Sequence, residues 1–365
     1  MVKKLLLIIG FVAFLSSCGK KAVYQLEGKL SNLDEQTIYA VFEGEGLRDV
    51  DTISCEKQGQ FVIKKDTKGF HSVTLFFENK TSWVTAYLEE GEVVRVSGDI
   101  AYPSLIQIKG GKINNHLDNF KKKVAPLLKE QAELIKNLNK KEDKTATEET
   151  DLSSRLSNIH HQLSEEAEVY IKKHPNEEAS AILIQMFFIN SDDTRQLDEL
   201  LAVLAPSLKN TPLVKELEQY SAKVKRTAIG VEAPGFNLKD VYGKSVSLDS
   251  FPNKYLLLTF IAPWCDMCHT EDLLLDKIAE QYPKEKVDML LISLDDDPKE
   301  LRDVLKDEKI HWNLVTDSAS QATQMFELYN ISSLPRCFLI DEEGKIILKT
   351  DNGVEIKQTL DMLLD

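Results

Sequence analysis

No glycine occurs between Asn114 and Thr227, and that gap divides the chain more sharply than any other feature. Glycine supplies tight turns and left-handed backbone, so a long stretch without it suits helices, which need neither. Inside the gap Leu117, Phe120, Val124, Leu127 and Leu128 recur at helical spacing, as do Leu152, Leu156, Ile159 and Leu163. A polar break from Lys140 to Thr150, the His174-Pro175 step, Pro206 and Pro212 bound successive helices. The pattern predicts a helical middle segment over 114–227, of four or five helices. A chain of 365 residues has room for two or three domains, and the gap marks their limits.

Residues 24–113 read differently. Thr37–Phe42 and Ser72–Phe77 are β-branched and aromatic runs, punctuated by Gly44, Gly59, Gly91 and Gly98. Val93–Val96 has the look of an edge or half-buried strand. The expectation here is a small β-sandwich. From 228 to 365 apolar runs alternate with amphipathic ones. Strands are expected at Tyr255–Ile261, Val287–Leu294, Asn313–Thr316, Arg336–Ile340 and Lys345–Lys349. Helices are expected from Cys265 to about Gln281, at Lys299–Asp307 and at Val354–Leu364. Such alternation implies an α/β domain with helices on the faces of a central sheet.

The first residues belong to export. Lys3 and Lys4 precede an apolar run from Leu5 to Leu15, too short to span a bilayer, and Leu15-Ser16-Ser17-Cys18 closes it. This resembles a bacterial lipobox. It implies a signal peptide over 1–17, lipidation of Cys18, a tether over 18–23 and a body outside the cytosol, facing the periplasm or the cell exterior. Thiol chemistry persists there. The formal charge of −14 falls mostly in residues 228–365, so nucleic acid, which needs clustered Lys and Arg, is not an expected partner. His160 and His161 fall on adjacent helix faces and lack an H-x-x-x-H partner, and Asp297-Pro298-Lys299-Glu300 reads as a helix start. No metal site is expected.

Trp264–His269 carries the chemistry. Cys265-x-x-Cys268-His269 spells both a haem attachment signature and a redox dithiol. Cys265 follows a buried-strand run at the point where a helix is expected, so its sulfur would face unpaired N–H groups that favour thiolate. Cys268 would lie one turn further on the same face, able to close a small ring with Cys265. Haem attachment requires no such strand and does require a distal ligand. The context favours the dithiol, with a haem electron carrier as the lesser alternative.

The run from Gly230 to Phe236, through Tyr242-Gly243-Lys244 to Phe260–Cys265, resembles the thioredoxin-like fold. More narrowly it is similar to the TlpA-like, membrane-anchored thiol–disulfide oxidoreductases, whose second signature matches Ser333-Leu334-Pro335, Phe338–Asp341 and Gly344-Lys345-Ile346. The resemblance implies a cis peptide before Pro335 and a Leu334 backbone open to a substrate strand, with Trp264 beside them. It implies that Cys265 attacks a client disulfide and Cys268 resolves the mixed disulfide, with Glu271 handling a proton. The cofactor would then be the Cys265–Cys268 disulfide itself. The partners would be disulfide-bearing exported proteins and a membrane thiol-reducing donor. Residues 24–113 resemble a domain of unknown function often found ahead of such enzymes, through Asp51-Thr52-Ile53, Gly59-Gln60-Phe61, Leu88–Gly91, Gly98-Asp99 and Gly110-Gly111.

Asp266 lies between the cysteines, and a carboxylate beside a thiolate raises the thiol pKa, which makes the reduced form less favoured and the pair a stronger reductant. Met267 and Leu273 stand where the family usually has proline, which leaves potential and partner choice open. His269 reads as solvent-facing, Cys337 as buried and inert, and Cys55 has no assigned role. A thiol peroxidase is the first rival, since peroxiredoxins share the fold and the opening. Their P-x-x-x-T-x-x-C motif would need proline at Ile261 and threonine at Cys265. A binding protein with a vestigial dithiol is a further reading.

Overall fold

The structure is a computed structural model and describes residues 24–33, 37–44, 46–55, 59–65, 69, 72–77, 82–89, 91–139, 145–189, 191–268, 274–295 and 313–364. The chain forms two compact units. One runs to Tyr170 and takes in Glu177–Ala179; the other comprises Ile171–Asn176 and Ser180–Asp365. The helical stretch is shared between them.

In the first unit, strands β1 (Tyr24–Ser31), β4 (Gln60–Lys65), β7 (Val93–Asp99) and β8 (Gln107–Lys109) form one sheet in the order β4-β1-β7-β8. Strands β2 (Thr37–Gly44), β3 (Leu47–Ser54), β5 (Ser72–Phe76) and β6 (Trp83–Tyr87) form a second, in the order β3-β2-β5-β6. Alternate residues such as Leu26, Phe42, Leu75 and Val96 join one buried cluster, as the two-residue period of a strand requires. The β-sandwich reading holds. Of the two readings of Val93–Val96 the half-buried strand holds and the edge does not: Val94 and Val96 are buried and Arg95 exposed, and β7 pairs in parallel with β1 and antiparallel with β8. β8 has only three residues, too few to leave a strand signature.

Helices α1 (Lys112–Lys123), α2 (Ala125–Leu138) and α3 (Ala146–Lys173) follow, then α4 (Glu178–Phe188), α5 (Arg195–Val203) and α6 (Pro212–Lys225). The described segment thus holds more helices than the four or five expected. The extra boundary is at Val124, where Pro126, lacking an N–H, suits a helix start and not an interior. Asn114, buried in α1, accepts from Tyr87 N at 2.9 Å and donates to Tyr87 O at 2.6 Å and Gly110 O at 2.7 Å.

The second unit carries a five-stranded sheet in the order β13-β12-β11-β14-β15: β11 (Tyr255–Ile261), β12 (Val287–Ser293), β13 (Asn313–Val315), β14 (Arg336–Ile340) and β15 (Ile346–Thr350). β11 is central and buried from Leu256 onward, which is why its sequence is a continuous apolar run. Leu257, Cys337 and Leu339 join the core on one face; Leu258, Phe260 and Phe338 join the core on the other. Among its described residues the unit also has a hairpin of β9 (Asn237–Lys239) and β10 (Ser245–Ser247) and helices α7 (Leu275–Gln281), α8 (Gln321–Leu328) and α9 (Gly353–Leu364). The helix expected at Lys299–Asp307, with its start at Asp297, lies outside the described residues, as do residues 1–23. No described helix is long and apolar enough to cross a membrane.

Candidate functional site

β11 delivers the chain to the site. Beyond Ile261, Cys265 N donates to Ala262 O at 3.1 Å and Cys268 N donates to Cys265 O at 3.0 Å, forming a 3₁₀ turn over Asp266–Cys268. In a 3₁₀ turn residues three apart come into line, so the two-residue spacing puts both sulfurs on one side. They are bonded to each other, with Cα atoms 5.3 Å apart. Of the single helix expected from Cys265 to Gln281, residues 269–273 lie outside the described residues. Leu274 takes a left-handed φ of 54° and α7 begins only at Leu275.

The two cysteines differ in exposure. Cys265 is half-buried, whereas Cys268 is 9% exposed and packs with Ile261, Leu275 and Cys337. Trp264, directly before Cys265, and Met267, two residues after it, are 72% and 65% exposed. The Leu334–Pro335 peptide is cis, with Pro335 buried and Leu334 half-buried. Leu334 packs against the clusters on both faces of the sheet, including the one that holds Cys265 and Cys268. The loop and the cysteine pair thus share one core.

Cys337 is buried at 1%, and the Thr259 hydroxyl donates to its sulfur at 3.6 Å. Burial pushes its thiol up to about 12, against the pull of that hydrogen bond and of the Arg336 charge. Cys55 lies at the margin of the sandwich core, its thiol also raised by burial. Glu271, His269, Leu273 and the lipidation candidate Cys18 lie outside the described residues, as does the side chain of Asp266.

One group of residues left no sequence signal. Arg336, directly after Pro335, and Lys349, on the neighbouring strand, both pair with Asp192 from the α4–α5 connection; Lys349 Nζ stands 2.6 Å from its carboxylate. Burial would raise the Asp192 pKa, but the Lys349 hydrogen bond and the charges of Lys349 and Arg336 outweigh it and hold the carboxyl below its usual range. Arg336 and Lys349 are far from Asp192 in the chain, and nothing in their local pattern announces the pairing.

Two family models match parts of the chain. Residues 24–117 match a domain of unknown function (DUF4369), and residues 229–349 match the AhpC/TSA family. Thiol-disulfide oxidoreductase ResA of Bacillus cereus is 27% identical over 145 residues, which are 40% of this chain and 82% of that protein. ResA of Bacillus subtilis is 26% identical over 118 residues, 32% of this chain and 64% of that one. Among solved structures, a thiol-disulfide oxidoreductase from Bacteroides fragilis is 31% identical, with a TM-score of 0.33, covering 36% of this chain and 99% of that chain. The likeness to these enzymes falls on the C-terminal domain, whose fold is thioredoxin-like.

Proposed function

We propose that this thioredoxin-fold thiol–disulfide oxidoreductase is a lipid-tethered, TlpA-like reductase of disulfides in exported proteins. One observation carries the reading: an accessible sulfur at Cys265 bonded to a sheltered one at Cys268, in the same core as the cis Leu334–Pro335 loop. In the reduced protein the Cys265 thiolate attacks a client disulfide, forming a mixed disulfide and expelling one client thiolate. Cys268, deprotonated in turn, attacks the Cys265 sulfur. The second client thiolate leaves and takes up a proton. The Cys265–Cys268 bridge is restored, the client has gained two electrons, and the enzyme has lost them. A thiol donor at the membrane returns two electrons and two protons for the next cycle. Glu271 is the candidate to take the proton of Cys268, and Cys18 is the candidate anchor. The leaning toward reduction rests on Asp266, whose charge lies next to the Cys265 thiolate in the chain.

Trapping tests the proposal. A Cys268→Ala variant, unable to resolve, accumulates mixed disulfides through Cys265 in the envelope of a cell that exports it, and mass spectrometry identifies the clients. Absence of any such adduct, with peroxide turned over faster than protein disulfides, favours the peroxidase reading instead. The haem alternative predicts a Soret band in the purified protein.

A further inference from the structure

Arg336 and Lys349 lie on adjacent strands and on one face of the sheet. Cys337 and Leu339 join one core and Phe338 the other, so Arg336, one residue before Cys337, shares the side of Phe338. Lys349 is opposite Phe338 in register, its ammonium 5.6 Å from the ring centroid. Both cations are poorly exposed, with side chains 16% and 6% accessible, while Asp192 between them is 54% accessible. They border a recess of about 370 Å³ whose other walls include Tyr220 of α6 and Ser332 and Ser333, the residues leading into Leu334. Among the recess-lining residues, two cations face one carboxylate. This is a positive spot in a domain whose formal charge is strongly negative. Positive charge held away from water and beside hydroxyls suits an incoming carboxylate, because charge-assisted hydrogen bonds strengthen where screening is low.

We propose that this recess receives an Asp or Glu side chain adjacent to the cysteine of a client disulfide, so that Arg336 and Lys349 select which disulfides Cys265 opens. The inference rests on the reductase reading and adds the class of client. Cys265 and Cys268 pack with the core on the opposite face, and Leu334, which packs on both, links the two sides: a client strand laid along the Leu334 backbone would pass Ser333 and Ser332 at the wall of the recess. The helices contribute through Asp192, whose charge sets how much positive potential is left for the ligand. Arg336 is thus a specificity residue and takes no part in sulfur exchange.

The test is single-turnover oxidation of the pre-reduced full chain by disulfide-linked peptides that differ only in the residue beside cysteine: Glu, Gln or Lys. The expected second-order rate constant for the Glu peptide exceeds that for the Lys peptide about tenfold, the factor set by one well-placed charged contact. R336Q brings that ratio close to one, and D192N, which removes the competing carboxylate, raises it. Equal rates for the three wild-type oxidations overturn the subsite while leaving the reductase assignment standing. R336Q slowing all three alike, or D192N leaving the ratio unmoved, overturns it too and makes the cluster a structural tie. If no peptide disulfide is reduced at all, the reductase assignment falls first and the subsite with it.

Discussion

Cys265 is partly open and Cys268 is closed off by Leu275 and Ile261, so a reagent and a client meet the same sulfur first. In the reduced protein, limiting iodoacetamide should label Cys265 well before Cys268, and Cys265→Ser should abolish disulfide reduction. Cys337 gives the contrasting case. With its sulfur buried and its thiol pushed up to about 12, it should resist maleimide at pH 8 until denaturant is added, as peptide mapping would show. Asp266→Asn removes the charge neighbouring the nucleophile, and its potential should become more oxidising, by about 30 mV for each ~1.4 kcal/mol of thiolate stabilisation gained. A variant potential equal to the wild-type value removes the ground for a reducing bias. At this scale the cysteine pair was legible because its chemistry is local, two sulfurs and what precedes them. Asp192, Arg336 and Lys349 were not, because their meaning lies in a pairing across the fold.

Strands and helices show the same division. β11 was readable to the residue, since a strand buried on both faces can only be a continuous apolar run. β8 and α8 were not, the first too short and the second with just Ala322 and Met325 buried, too thin a stripe to see. The break at Leu274 was hidden for another reason. A leucine at positive φ contradicts its own propensity, so nothing in the local sequence announces it. Two ties between elements carry predictions. Asn114 satisfies Tyr87 at both backbone groups, so Asn114→Ala leaves polar atoms without partners and should cost about 1–3 kcal/mol in urea unfolding. Asp192 joins the α4–α5 connection to β14 and β15, and its folded-state pKa is lowered by Lys349 and Arg336 despite burial. Its stabilisation is therefore full above the ordinary carboxylate value near about 4 and fades as pH falls through the lower folded value. The stability gap between wild type and Asp192→Asn should close below about pH 4 and stay constant from pH 5 to 7.

At the scale of the whole chain, each unit has apolar clusters of its own: one within the sandwich and two on the faces of the redox sheet. Their stabilities and their work should therefore be separable. Asn114→Ala is expected to lower the denaturant midpoint of the first unit while the rate constant for peptide-disulfide reduction stays at its wild-type value. A parallel loss of both would mean that the sandwich takes part in the chemistry. The helical middle was visible from glycine usage, and the β-rich and α/β zones from their apolar runs, yet the two units do not follow those zones, since contact is a property of three dimensions and composition of one. Leu334 draws a last consequence from this architecture. Because it is wedged into the hydrophobic layers above and below the sheet, a repacking on either side, even among residues remote from sulfur, reaches the loop on which, under the proposed function, a visiting strand would settle. Evolution can thus adjust the grip on visitors by editing the interior and leaving the reactive atoms alone.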